Sequence, residues 1–280
     1  MRLKEINRET FRATIASNPE ISSVPTVAVA IIRMFNNPNS TFHELARVIE
    51  TDEELTGRIL KIANSGYYSF NEKITAVSRA VVLLGWNAVK MITLGSTSLA
   101  QMSEKNRQLY EHSVRTALIA RFLGMEANFY KVEEIEVVGL LHDIGSFMLE
   151  RYFHNHYLKI KQYVIDHGVP AYLAEREIIG VDHGAIGGWT LEEWDIPRNI
   201  STSVMWHHDF KPNTYHSRKT AVIHMADSLA LAADYTGPSW EKVPEIREEA
   251  LTTLGFTEFR VRDIVHEVMS IKPDSMLFNM

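Results

Sequence analysis

The chain has 280 residues, 45% hydrophobic and 23% charged, which is enough for one large or two modest domains and is the balance of a globular protein. Its 29 Lys and Arg against 35 Asp and Glu leave a net charge of −6, which argues against a phosphate-backbone binder with its usual basic face. The absence of cysteine excludes disulfides and thiolate metal sites and fits a reducing compartment.

The first ten residues, M-R-L-K-E-I-N-R-E-T, contain no apolar run of the secretory kind. No segment reaches the roughly 18 uncharged apolar residues that a membrane span needs. The expectation is a cytoplasmic protein with no membrane partner. Helical periodicity then dominates. Val27, Ile31, Ile32, Met34 and Phe35 open an amphipathic segment that stops at N-N-P-N-S. Ser40 or Thr41 caps the next helix, F-H-E-L-A-R-V-I-E. Thr51, with Glu54 three residues on, predicts a capping-box start for T-D-E-E-L-T-G-R-I-L-K-I-A. A third helix runs through A-V-S-R-A-V-V-L-L-G-W-N-A-V-K-M-I-T-L, with Gly85 and Gly95 in or near it, read as close packing.

From Lys105 onward the pattern predicts helices near 106–128, 132–152, 155–168, 170–179, 184–194, 197–208, 217–234, 245–254 and 259–270. No stretch alternates with a period of two for long enough to build a sheet, so the predicted class is all-α. The expected division is an N-terminal helical part over 1–105 and a second helical part over 106–280.

Twelve histidines are many for this length, and their placement matters more than their number. His112 lies mid-helix. His142 and Asp143 are adjacent in the otherwise apolar V-V-G-L-L-H-D-I-G-S-F-M-L, and burying them without partners would cost several kcal/mol. His183 starts a helix, His207 and His208 are adjacent, and Asp227 lies in V-I-H-M-A-D-S-L-A. Imidazole and carboxylate together suit iron, manganese, zinc or magnesium. His112, His142, Asp143 and Asp227 suffice for one ion. His183, His207 and His208 could hold a second, with Asp143 as the bridge.

The remaining histidines carry a plainer reading. A lone buried histidine is more often a satisfied core residue than a ligand, and His43, His154, His156, His167, His216 and His266 sit in polar surroundings as surface residues. His224, three residues before Asp227, either orients a ligand or bonds a neighbouring helix. Asp182, Asp195 and Asp209 are read as caps or solvated side chains. Gly184, Gly187 and Gly188 suggest a close approach of backbone, with tight helix packing as the simpler explanation.

The pattern His112, His142-Asp143, Asp227, with L-L-H-D-I-G as its most specific stretch, resembles the HD superfamily of metal-dependent phosphohydrolases. I-S-S-V-P-T-V-A-V-A-I-I, V-I-E-T-D-E-E-L-T-G-R-I-L-K-I-A-N-S-G-Y-Y and I-T-A-V-S-R-A-V-V-L-L-G resemble the HDOD domain of that superfamily, over roughly residues 15–230. The resemblance implies a compact multi-helix HD-domain-like bundle with an N-terminal helical subdomain. It also implies a bacterial signalling or regulatory setting, without implying catalysis. His183, His207 and His208 match three further histidines of the related HD-GYP branch. That branch has a lysine where this chain has Ser146, and its G-Y-P signature is replaced here by H-H-D-F-K-P-N-T-Y. Gln108, one turn before His112, is not a carboxylate, so a third metal is not expected.

Two functions compete. One is a two-metal phosphohydrolase for a nucleotide or related phosphoester, with His142 and Asp143 as the candidate catalytic pair. Its divalent ions would be iron or manganese first, then zinc, magnesium or nickel. Arg115 and Lys211 are the candidate phosphate contacts, because a phosphate needs cationic partners. The alternative is a catalytically silent signalling module that binds a protein partner, its metal structural or sensory. Nucleic acid is not expected: the helix-turn-helix-like stretch near residue 50 would present T-D-E-E to phosphates.

Overall fold

The computed structural model describes residues 6–17, 26–35, 37–64, 73–96, 107–194, 196–210, 217–233 and 242–270. Lys211, His216 and Asp195 lie outside them. No strand is present among the described residues, as the missing period-two pattern predicted. The helices are α1 (Arg8–Ser17), α2 (Thr26–Phe35), α3 (Phe42–Ile49), α4 (Glu53–Ala63), α5 (Val77–Ser96), α6 (Arg107–Glu126), α7 (Val132–Leu141), α8 (Ile144–Tyr152), α9 (His154–His167), α10 (Ala171–Ile179), α11 (His183–Glu193), α12 (Arg198–Met205), α13 (Ser217–Ala233), α14 (Glu248–Leu254) and α15 (Glu258–Ser270).

They form two compact units, residues 19–105 with 274–280, and residues 1–18 with 106–273. In the smaller unit α2 to α5 close over Ile31, Leu45, Ile49, Leu55, Ile59, Ala80 and Val81. Thr41 starts α3 with a full capping box, its hydroxyl accepting from the Glu44 amide while Glu44 accepts from the Thr41 amide. The cap expected at Thr51 falls one residue later, and the Glu54 side chain of the expected box lies outside what the structure describes. Asp52 caps α4 by accepting from the Leu55 amide at 2.9 Å, and the Thr51 hydroxyl turns back to the Val48 carbonyl at 2.7 Å. The carboxylate one residue later is the better placed acceptor. Gly85 adopts φ 78° and ψ 167° and kinks α5. A Cβ there would meet nothing within 4 Å, so backbone conformation, not packing, calls for the glycine.

The larger unit includes the N-terminal residues, which the sequence assigned to a 1–105 part. The physical reason is burial. Phe11 is fully buried against Phe153 and Trp189, with ring centroids 6.1 Å and 5.9 Å away. The Ile6 amide donates to the Ile179 carbonyl, and Arg8 and Arg12 pair with Glu192 and Glu193.

Three helix contacts bring the future site together. α8 crosses the start of α11 at Gly145, where a Cβ would overlap the His183 carbonyl oxygen and come within 2.7 Å of the Gly187 nitrogen. On α11, Gly187 and Gly188 face Val204 and Met205 of α12, and a Cβ on Gly188 would sit 2.7 Å from the Met205 Cβ. This is the tight helix packing that the glycines suggested. On the other side Gly139 of α7 lies against Ala117 and Thr116 of α6.

Candidate metal centre

The single helix expected over 132–152 is two. His142 keeps helical angles (φ −57°, ψ −37°), Asp143 departs from them (φ −95°, ψ 11°), and α8 starts anew at Ile144. The break turns both side chains toward α6, α11 and α13. His112 enters from α6, His183 from the first position of α11, His207 and His208 from the turn after α12, and Asp227 from α13. All seven predicted ligands are buried, none more than 7% exposed.

They meet in two overlapping groups. His112 Nε2 lies 3.2 Å from His142 Nε2 and 3.1 Å from Asp227 Oδ1. His183 Nε2 lies 2.8 Å from His208 Nε2, and the donor atoms of His183, His207 and His208 all fall within 4.8 Å of one another. Asp143 joins the groups. Its Oδ2 is 3.6 Å from His112 Nε2 and 3.5 Å from His142 Nε2, while its Oδ1 is 3.1 Å from His183 Nε2.

The protons are arranged for ligation. His142 Nδ1 donates to the Gly139 carbonyl at 2.7 Å, and His207 Nδ1 donates to the Val204 carbonyl at 2.6 Å. His183 Nδ1 donates to Glu175 Oε2 at 2.8 Å. Each ring therefore turns its Nε2 inward, the arrangement that orients metal-binding imidazoles. His207 Nε2 is buried with no hydrogen-bond partner, as are the Nδ1 atoms of His112 and His208. Buried orphans of this kind need an explanation, and a cation facing His207 Nε2 supplies one. The donor set, nitrogen and oxygen without sulfur, fits a divalent ion of intermediate or hard character.

Electrostatics agree. Burial, then the cationic tendency of His183 and His142, push the His207 pKa down to about 4, so that ring is neutral near pH 7. Burial, then His207 and His183, hold His208 well below its ordinary range. Burial opposes ionisation of Asp143, but His142 and His183 outweigh it and hold the carboxyl below the carboxylate range. Asp227 is likewise held down by His112 and His142 against burial. Burial would lower His142 and His183 too, but Asp143 and Asp227 raise the first, and Glu175 and Asp143 the second. In the metal-free protein these two rings hold the protons that a cation would displace.

Other predicted residues fall elsewhere. Arg115 Nη1 donates to the Ala233 carbonyl at 3.1 Å, at the end of α13. Asp182 caps α11 by accepting from the Ala185 amide at 2.9 Å. His224 braces the turn that carries His207 and His208, its Nδ1 donating to the His207 carbonyl while Nε2 accepts from the Arg247 amide at 3.2 Å. Among the described residues, His43, His154, His167 and His266 are exposed, as expected, while His156 is half-buried. Two contributors were not read from the sequence. Glu175 is buried against His183, and Tyr172 stacks on His208 at 4.5 Å between ring centroids. The only hint was that Ala171, Ala174 and Glu175 share one face of α10 at helical spacing. A cavity of about 10 Å³ opens onto the centre between Asp143, His183, His208, Asp227, Ala171, Tyr172 and Pro244, room for about one water-sized group.

The comparisons with known proteins fit this geometry. A family model for the HDOD domain matches residues 21–210. An uncharacterized protein from Treponema pallidum (strain Nichols) is 23% identical over 212 residues, 73% of this chain; the match spans 41% of that relative's length. A solved structure from Marinobacter aquaeolei VT8, named as a candidate signal transduction protein, is 18% identical with a TM-score of 0.77, over 98% of this chain and 67% of that one. A candidate phosphohydrolase from Shewanella amazonensis SB2B is 18% identical with a TM-score of 0.69, over 96% of each chain. At these identities the two structures establish a shared all-α fold.

Proposed function

The chain belongs to the HDOD-domain family, and from that premise we propose that it is a bacterial regulatory protein whose His/Asp centre holds two divalent cations and hydrolyses a phosphoester of the nucleotide class. The observation that carries the reading is Asp143. Its two oxygens face two separate donor groups, with Oδ2 toward His112 and His142 and Oδ1 toward His183. His112, His142, Asp143 and Asp227 would hold one ion. Asp143, His183, His207 and His208 would hold the other. Iron or manganese suits this mixed nitrogen and oxygen set, with zinc, magnesium or nickel as substitutes. A bound pair of divalent cations lowers the pKa of a water and neutralises charge on a phosphoryl group.

The chain's own residues set the conditions for that chemistry. Gly139, Val204 and Glu175 hold N–H at Nδ1 of three imidazoles, so Nε2 is the atom each ring presents for a ligand bond, ready at His207 and freed by loss of a proton at His142 and His183. Burial of all seven side chains keeps bulk water out and strengthens each charge interaction. The cavity bordered by Ala171, Tyr172 and Pro244 has room for about one oxygen-sized group, which suits a single phosphoryl oxygen.

The same narrow cavity favours a second reading, a silent signalling module whose metal is structural or sensory and whose binding surface meets a protein partner. Elemental analysis separates these readings when paired with a turnover screen. The protein is purified anaerobically without a chelating tag and assayed for phosphate release from nucleotides, cyclic dinucleotides and aryl phosphates. The expected result is about two ions per chain, fewer in His142→Ala and in His207→Ala, with hydrolysis lost in both. Two ions without turnover would favour the signalling module. A folded, metal-free protein would rule out the hydrolase.

A further inference from the structure

We infer that Glu175 is the positioning residue that makes the second of the two cation positions, the one at His183, His207 and His208; the inference rests on the two-cation reading above. Glu175 is 4% exposed. Its Oε2 accepts from the His183 backbone amide at 2.7 Å and from His183 Nδ1 at 2.8 Å. One oxygen thereby fixes both the start of α11 and the tautomer and angle of the ring it carries. The ring's other nitrogen, Nε2, is the atom that faces Asp143 Oδ1 and His208 Nε2.

A buried carboxylate is expected to be paired with a cation. The neighbouring Arg176 is committed to Asp182, at 2.9 Å from Nε. Among the described residues the ion-pair partner of Glu175 is His183. Its negative charge is therefore passed through an imidazole to whatever that imidazole binds. His142 in the first half and His207 in the second lean on neutral carbonyls instead, so among these three rings His183 is the one braced by a charge.

Charge explains why the difference matters. The first half owns Asp227 and shares Asp143. The second half has three neutral imidazoles and only its share of Asp143. Two divalent ions bring four positive charges against two from Asp143 and Asp227. Glu175 supplies a third negative charge beside the half that lacks one. One positive charge then remains, enough to hold a single anionic oxygen in the cavity at Tyr172 and Pro244.

Glu175→Gln tests this, because it keeps an oxygen for the two N–H donors and removes only the charge. Metal-free protein is titrated with manganese(II), desalted, and counted by elemental analysis, with electron paramagnetic resonance recorded on the same samples. The wild type is expected to hold two ions with an exchange-coupled signal through Asp143. Glu175→Gln is expected to hold one, with an isolated-ion signal and a second site about 10–100-fold weaker. Glu175→Asp keeps the charge but withdraws it by one methylene. It is expected to fall between the two, and it carries the test if the glutamine variant does not fold. Unchanged melting of the metal-free variants would separate positioning from general destabilisation. Two ions of unchanged affinity in Glu175→Gln would overturn the role of Glu175 alone. One ion or none in the wild type would overturn the two-cation reading, and this inference with it.

Discussion

At the scale of single residues, the two oxygens of Asp143 connect donor groups that arrive from different helices. Asp143→Asn keeps the shape but leaves one strong acceptor where two are used. The expected result is at most one bound ion per chain with unchanged helical circular dichroism, read by elemental analysis. The rings beside it set a pH dependence. His142 and His183 are raised above their ordinary value of 6.5, so their stabilisation of the metal-free protein is complete below that value and is lost as pH rises through the raised values. Asp143 and Asp227 are lowered below 3.8, so theirs is present above that value and is lost only in strong acid. These four groups therefore favour the metal-free protein between about 4 and about 6.5, while the lowered His207 and His208 oppose them on the acid side, since the unfolded chain takes up their protons below about 6.5. Cation binding displaces the two protons and so gains with pH. The difference in Tm between metal-loaded and chelator-treated protein is expected to widen from pH 6 to pH 8; a difference that shrinks would contradict this proton inventory. The clustered residues were legible because His and Asp inside apolar helices stand out chemically. Glu175 was not, since A-E-R-E looks like a solvated face until its partner on α11 is known.

At the scale of elements, what matters is where helices stop and how closely they approach. Continuous periodicity across 132–152 predicts one helix, because Leu, Ile, Phe and Met continue on both sides of the break. The helix ends at Asp143 because α8 must pass against the start of α11, and only a glycine at 145 allows that approach. Gly145→Ala would force a methyl group into backbone atoms, which cannot yield as a side-chain tip can. The expected destabilisation is about 1–3 kcal/mol, read by denaturant unfolding. Metal retention is expected to fall as well, because the displaced backbone carries His183. A variant of wild-type stability with full metal content would show that α8 and α11 can separate freely. The Asp52 cap belongs to the same class of detail. Thr51 and Asp52 are both good caps, and the path of the chain out of α3 selects between them.

At the scale of the whole molecule, a cation bound only by the folded chain adds stability by mass action, about 2.7 kcal/mol at a free concentration 100 times its Kd. For a unit of this size each kcal/mol moves Tm by roughly 2–4 °C, so chelation is expected to lower the Tm of the larger unit by about 5–10 °C. Calorimetry with and without chelator reads this, and coincident traces would show that no ion contributes to the fold. The larger unit draws on both ends of the sequence, since residues 1–18 fold with residues 106–273. What the amino-acid order determined by itself was the all-α class, from apolar spacing, and the seven His and Asp residues that the fold buries together, from side-chain chemistry and local context. Both are written within one or two helical turns. The tertiary structure decided the break at Asp143, the tautomers fixed by Gly139, Val204 and Glu175, the small cavity beside Tyr172 and Pro244, and the membership of α1. Each of these depends on atoms brought together from distant parts of the chain, and so on the packing of helices rather than on the pattern within any one of them.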